Sequence, residues 1–447
     1  MRVADKVEPR LPRGMRDILP RQMILRQYVI GIIREVFESY GYEPLSTPAA
    51  ELHETLTGKY GPDAERMIYN VSRRGSKEKL ALRYDLSVPL SRLMAMHPDL
   101  QKPFKRYQIA PVWRGERPGK GRYREFYQCD VDTVGTSSML ADTELLEITY
   151  DLLNRLGFSQ FVMKMNDRKI LTGIGQFAGV PDDLLGGLYR AIDKRDKIGL
   201  DGVREELIAN EIPEEVTRRL LELLQVTGDS REVLDELERG LEQYPVAVEG
   251  IGELREILRY LGDLDIPADR YEIDFSMVRG LDYYTGPILE TVVEEPRIGS
   301  ISGGGRYDEL IGMFSDWSYP ATGTSFGIER IIDVMEELEM YPPEVGATKT
   351  RVLVTVFDEE HISESLRASQ DLRRAGLNTE MYFDNDPLGD QIRHALKRGI
   401  PYVVIIGPDE AAAGKVTIRN LSLEEQRTVE RAATPGQIRG WEGSGAE

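Results

Sequence analysis

The chain has 447 residues, 41% hydrophobic and 30% charged, a globular composition long enough for two or three domains. A formal net charge of −19 opposes casual adhesion to nucleic acid, and a single cysteine, Cys129, excludes an intrachain disulfide and a four-cysteine zinc site. No run of 18 or more apolar residues occurs and the charged start lacks an apolar signal segment, so a cytoplasmic protein with no membrane partner is expected.

In chain order, residues 20–40 place apolar side chains at helical spacing and Gly41 suits a C-terminal cap. The stretch 42–52 reads as extended, held by Pro44 and Pro48. Residues 104–135 have the form of a long hairpin: alternation in "KRYQIAPVW", a Pro-Gly-Lys-Gly turn at 118–121, then alternation again in "YREFYQCDVDTV". An amphipathic helix is predicted over 141–158. From about 168 to 264 the composition turns acidic and leucine-rich, as in "EEVTRRLLELLQV", which reads as an inserted helical bundle. Strands return at 271–276, 286–293 and 298–302, and "ATGTSFGIERIIDVMEELEMY" (321–341) runs from strand into helix. After a linker at 342–350, apolar strands alternate with helices, predicting a small α/β domain around a mostly parallel sheet.

The common phosphate-binding patterns are missing: there is no P-loop, no Gly-x-Gly-x-x-Gly after a strand and no His-Glu-x-x-His. What remains is a set of arginines on strand-like segments, Arg114, Arg279 and Arg330, with Asp85, Gln128 and Asp132 as acceptors for an ammonium or a ring N–H. Arginine's planar fork binds carboxylate or phosphate in bidentate fashion and stacks on rings, so such a set suits a zwitterion beside a polyphosphate. The alternative is a scatter of surface ion pairs, each worth about 0–1 kcal/mol. A basic run at 102–124 holds eight Lys and Arg against Glu116, with Glu125 just beyond it, which suits either a solvated face or an anionic ligand. The segment 277–290, "MVRGLDYYTGPILE", and the glycine triplet of "ISGGGRYDEL" (301–310) are poor material for ordinary core strands.

Three segments in order carry a family resemblance. "WRGERPGKGRYREF" (113–126) resembles motif 2 of class II aminoacyl-tRNA synthetases, "GTSFGIERI" (323–331) resembles motif 3, and the first helix with Pro48 resembles motif 1. Within that class "VRGLDYYTG" and "SGGGRYDEL" resemble the two signatures of histidyl-tRNA synthetases, and "LRYDLSVPLSR" and "RYREFYQCDVD" look closer to the eukaryotic-type branch. The resemblance covers nearly the whole chain. It implies an α+β fold: an antiparallel class II sheet flanked by helices, a helical insertion and a C-terminal α/β anticodon-binding domain. The implied divisions are 1–167 and 265–341 for the catalytic core, 168–264 for the insertion, 342–350 for the linker and 351–437 for the anticodon-binding part.

The implied reaction is ATP-dependent activation of L-histidine followed by transfer to the 3′ end of tRNA(His), in a homodimer built through motif 1. By motif position, Arg114 holds the α-phosphate, Glu116 accepts from the adenine amino group, Arg122 reaches the outer phosphates, and Phe126 and Arg330 sandwich the adenine. Asp132 and Tyr284 bond the imidazole nitrogens, with Tyr283 and Tyr307 lining that side; Asp85, Ser87 and Gln128 receive the α-amino group. Arg279 lies against the α-phosphate and the substrate carboxylate as a fixed positive charge and, with Arg114, is the expected catalytic pair. Mg²⁺ enters with the ATP and no metal site of protein side chains alone is expected. Gly119 stands where the bacterial pattern has Gln in the motif 2 loop, which leaves the tRNA identity elements open. The rival readings are a catalytically silent paralogue acting as a regulatory or histidine-binding subunit, a class II synthetase for another amino acid, and a nucleic-acid-binding module without catalysis.

Overall fold

In the computed structural model, the structure describes residues 7–58, 65–119, 121–180, 185–193, 195–210, 212–225, 228–275, 277–278, 283–296, 298–342 and 345–444. The chain divides into two compact units, one of residues 1–17 and 29–340, the other of residues 18–28 and 341–447.

The first helix, Pro20–Ser39, is followed by β1 (Glu43–Pro44). The expected extended stretch after the helix is therefore broken into short pieces, because Pro44 and Pro48 withhold the N–H groups a longer ladder needs. A three-stranded sheet follows, from β2 (Ala50–Leu52), β3 (Asn70–Val71) and β4 (Leu80–Leu82), in the order β2-β4-β3. The long hairpin forms as its alternation predicts: β5 (Phe104–Trp113) pairs antiparallel with β6 (Glu125–Val134), from Phe104 opposite Val134 to Trp113 opposite Glu125. A helix at Met139–Arg155, capped by Ser138, leads to β7 (Val162–Asp167). The strands β8 (Tyr271–Ile273), β9 (Pro287–Val292), β10 (Ser300–Arg306) and β11 (Ala321–Gly327) complete an eight-stranded sheet in the order β1-β5-β6-β11-β10-β9-β7-β8. Its six inner strands pair antiparallel, and the short edge strands β1 and β8 join parallel.

One reading needs correcting here. The glycine triplet lies inside a central strand: β10 runs through Gly303, Gly304 and Gly305 to Arg306, between β9 and β11. A Cβ on Gly304 would lie 2.1 Å from the carbonyl oxygen of Gly323 and 2.5 Å from the Thr324 Cα. Glycine is needed at that position because two backbones approach too closely for any side chain. The reading of Arg279 on a strand-like segment falls on residues 279–282, outside the described residues. Beyond it Tyr283 lies in a turn and Gly286 at a bend, and β9 begins at Pro287.

Between β7 and β8 the acidic, leucine-rich stretch forms helices at Arg168–Phe177, Leu185–Asp193, Arg195–Ala209, Glu214–Leu224, Ser230–Leu241 and Pro245–Asp263. Their starts follow capping chemistry. Asp167 accepts from the Lys169 N–H, Asp229 accepts from the Arg231 and Glu232 N–H groups, and Pro245 occupies a first-turn position where its missing donor costs nothing. The helix Ser230–Leu241 buries Val233, Leu234, Leu237 and Leu241, a stripe at the 3–4 spacing that its sequence predicts.

In the second unit, β12 (Val352–Val354) pairs parallel with β13 (Thr379–Met381) and β14 (Tyr402–Ile405), with helices Ile362–Arg374 and Leu388–Arg398 between them. The sheet then changes sense, since β15 (Lys415–Asn420) and β16 (Glu425–Glu430) are both antiparallel. The expectation of a mostly parallel sheet is thus wrong by one hairpin. β16, "EQRTVE", carries too little apolar alternation to reveal itself because it is an exposed edge strand. The final helix, Thr434–Ser444, buries Ile438 and stacks Trp441 on Tyr402 with ring centroids 6.0 Å apart.

Candidate active site

A cavity of about 350 Å³ opens on one face of the eight-stranded sheet. Strand β6 sets its floor through period-two alternation: Gln128, Asp130 and Asp132 line the cavity, while Cys129 and Val131 are fully buried. Opposite them on β11 stand Gly327, Ser325 and Gly323, in register with Gln128, Asp130 and Asp132. A Cβ on Gly323 would sit 2.0 Å from Asp132 Oδ1, so glycine there makes room for the carboxylate. The sequence-predicted residues converge on this one cavity. Asp85, Ser87, Arg114, Glu116, Arg122, Phe126, Gln128, Asp132, Tyr283, Tyr284, Tyr307 and Arg330 all line it. Only Arg279 is not placed, being outside the described residues.

One end of the cavity is lined by buried acidic and aromatic side chains. Asp132 pairs with Arg106 across the hairpin at 2.8 Å and accepts the hydroxyl of Tyr307; the Arg106 and Asp132 side chains are 0% and 3% exposed. Burial pushes the Asp132 carboxyl up, opposed by Arg106 and Tyr307. Asp130, two residues along the strand, is pushed up to about 7, first by burial and then by the charge of Asp132, against the pull of Arg106. Tyr283 packs edge-on against Tyr284 and Tyr307, with ring centroids 5.0 and 5.8 Å apart, and its hydroxyl points to Asp85 Oδ2 at 3.4 Å. Burial and then the charge of Asp130 raise the Tyr284 phenol well above its ordinary range, so it stays a neutral donor and acceptor. Asp85 Oδ1 accepts the Val88 N–H at 3.1 Å in the first turn of the helix Ser87–Met96, which anchors it at the cavity wall.

The other end is cationic and more open. The Arg114 guanidinium lies 4.5 Å from the Tyr84 ring centroid and 5.1 Å from that of Phe126, and its Nε donates to the Tyr84 carbonyl. Arg122 reaches Glu116 at 3.5 Å and its side chain is 59% exposed. Arg330 donates to the Ser300 carbonyl. Burial, followed by Arg122, lowers its guanidinium's proton affinity, yet a guanidinium remains charged at any physiological pH. An aromatic ring and guanidinium planes flanking a slot can hold a planar base, and forked cations beyond it can hold phosphates.

Several lining residues escaped the sequence reading: Asp130, Ser325, Glu290 and Glu329 line the cavity, and Arg106 lies beneath it. The alternation Gln128-x-Asp130-x-Asp132 could have revealed Asp130, since strand period two puts all three on one face. Arg106 was hidden because a cation facing a buried carboxylate depends on the hairpin register. Glu329 takes the Tyr127 N–H at 3.2 Å and pairs with Arg16 at 2.7 Å, tying the start of the helix Ile328–Glu337 to β6.

Residues 14–331 match the family model described as histidyl-tRNA synthetase, and residues 351–441 match the anticodon binding domain. A histidine–tRNA ligase of Aeropyrum pernix is 45% identical over 94% of this chain and 95% of its own length. The one from Gloeobacter violaceus is 40% identical over 95% of this chain and 97% of its own length. The crystal structure of histidyl-tRNA synthetase from Nostoc sp. superposes with a TM-score of 0.85 at 34% identity, covering 97% of this chain and 99% of that one.

Proposed function

Since the chain belongs to the histidyl-tRNA synthetase family, we propose that it is a histidine–tRNA ligase, activating L-histidine with ATP and transferring it to the 3′ end of tRNA(His). The observation that carries this reading is one cavity with both a carboxylate–tyrosine end and an arginine–phenylalanine end, spanned by strands β6 and β11. Histidine fits the first end. Asp132 accepts one imidazole N–H and Tyr284 answers the other nitrogen, with Tyr283 and Tyr307 as walls and Asp85, Ser87 and Gln128 around the α-ammonium. A site that hydrogen-bonds both ring nitrogens rejects isosteres lacking them by about 10⁴–10⁵-fold, because its own polar groups are then left unpaired.

ATP fits the second end. Phe126 and Arg330 enclose the adenine, Glu116 accepts from its amino group, Arg114 takes the α-phosphate and Arg122 the outer phosphates. The histidine carboxylate then attacks the α-phosphorus and pyrophosphate leaves; the 3′-terminal ribose hydroxyl of the tRNA next attacks the aminoacyl carbonyl and AMP leaves. Positioned guanidinium groups stabilise the extra negative charge at phosphorus, the main requirement of this step. Arg114 and Arg279 are assigned that role, and Arg279→Ala lowers adenylate formation by at least about 10²-fold, the scale of losing one preorganised donor.

Among the described residues no cluster of three His, Cys, Asp or Glu could hold a metal ion, and the nearby carboxylates Glu116 and Glu290 are engaged by Arg122 and Ser300. Mg²⁺ bound with ATP is part of the same proposal, and it would supply charge neutralisation for the departing pyrophosphate. No described helix is long and apolar enough to cross a membrane. A cytoplasmic homodimer joined through the first helix and the segment after it is part of the same proposal. So is the division of the chain at 168–264 and 342–350. The test is ATP–pyrophosphate exchange with each amino acid in turn, followed by charging of tRNA(His). Exchange that does not respond to histidine sinks the reading, and exchange without charging points to the silent-paralogue alternative.

A further inference from the structure

The family pattern assigns no task to Asp130, which is 2% exposed and sits between Gln128 and Asp132 on the cavity face of β6. Its cross-strand partner is Ser325, directly opposite it in the β6–β11 register and near enough to favour the ionised Asp130 carboxyl. The Ser325 hydroxyl oxygen accepts Gln128 Nε2 at 2.9 Å. Two acceptors of this cluster, Gln128 Oε1 and Asp130 Oδ1, are buried without a hydrogen-bond partner among the described residues. Buried acceptors left this way cost free energy unless a ligand supplies donors.

We propose that Asp130 is a specificity-determining positioning residue for the substrate's α-ammonium, acting through Ser325 to turn the carbonyl of the Gln128 amide toward the substrate. This deepens the histidine–tRNA ligase reading and rests on it. The reasoning follows donor and acceptor counts. An ionised carboxylate can only accept, so the lone hydroxyl proton of Ser325 goes to Asp130. The serine oxygen can then only accept from Gln128, which commits the amide N–H₂ to the serine. The opposite end of the amide, a carbonyl oxygen, is left for the ligand. An ammonium has three donors and no acceptor, so it is served by that orientation and repelled by the reverse one. Asp130 also adds a second negative charge beside Asp85, and an arriving cation in turn favours its ionised form. Without Asp130 the serine proton is free to point at Gln128, the amide turns over, and N–H groups face the ammonium.

The test compares binding of histidine with that of 3-(imidazol-4-yl)propionate, which keeps ring and carboxylate but lacks the amino group, by titration calorimetry on the full chain. In Asp130→Ala the histidine affinity falls about 10- to 100-fold, the span of one hydrogen bond to a charged group, while the propionate changes less than about 3-fold. Ser325→Ala leaves every buried charge in place and gives the same selective loss. The double variant is no worse than the weaker-binding single one, because both break one relay. Equal losses for the two ligands, unchanged histidine affinity, or additive losses in the double variant each overturn the proposal. The unaltered protein is the control for the parent reading. If it binds neither ligand, the ligase reading fails, and the relay with it.

Discussion

The two ends of the cavity solve opposite problems with the same sheet. At the carboxylate end Asp132, Arg106 and Tyr307 are almost fully buried and hold one another, so the geometry is set before any ligand arrives. At the arginine end Arg122 is more than half exposed, and Arg114 rests on rings and a backbone carbonyl. A small substrate that differs from its competitors by two nitrogens needs fixed partners in low dielectric, where an unmatched group is costly. A triphosphate carries enough charge to be held by cations that stay partly hydrated and adjust as pyrophosphate departs. The contrast teaches where specificity and where tolerance are built, and it can be broken experimentally.

The largest effect is expected from Asp132→Ala. It removes the directly paired counter-charge of the buried Arg106 and leaves only the more distant Asp130, so the urea midpoint should drop by the equivalent of about 3–5 kcal/mol. Histidine-dependent exchange should fall by at least about 10²-fold; a variant that keeps wild-type stability would show that the buried end is not preorganised by this pair. Next comes Gly323→Ala, whose Cβ would arrive 2.0 Å from Asp132 Oδ1. It should raise the KM for histidine by about 10²-fold or more while leaving the KM for ATP within about 3-fold, and equal changes in both would dissolve the distinction between the ends. At the open end, Arg330→Ala should raise the KM for ATP by about 10-fold with the fold retained, as read by circular dichroism, since one stacking cation is lost. A smaller effect is expected from Asp130→Asn, read as stability against pH. The Asp130 carboxyl is raised to about 7 from an ordinary value of 3.8, so between those values the folded protein binds more protons than the unfolded chain. Its ionisation costs stability as pH rises through that window, and the asparagine variant escapes the cost. The variant should melt about 2–4 °C above the parent at pH 8 and show little gain at pH 4. The smallest is Arg122→Ala: an exposed pair with Glu116 is worth about 0–1 kcal/mol, so stability should not change measurably, and only the KM for ATP should rise, about 3-fold.

Much of the architecture is legible in the chain because local rules act locally. The hairpin of β5 and β6 follows from alternation around Pro118 and Gly121, and the inserted helices follow from leucine spacing and from caps at Asp167 and Asp229. β16 escaped because a polar edge strand has no apolar pattern to read. In the site, residues whose chemistry recurs in a motif were visible, whereas Asp130, Ser325 and Arg106 matter through partners on neighbouring strands.

By itself the sequence determined the order of the elements, the family and nearly the whole list of named side chains that line the cavity. The tertiary structure decided which of them are buried and what each one holds. It turned a glycine triplet from an apparent break into a central strand, because β10 and β11 approach so closely that Gly304 has no space for a Cβ. It also made Asp130 a buried carboxyl near neutrality, because register places Ser325 opposite it and Asp132 and Arg106 alongside. Spacing along a strand announces which face a side chain joins; only the pairing of strands determines the charge and the hydrogen-bond polarity it meets there.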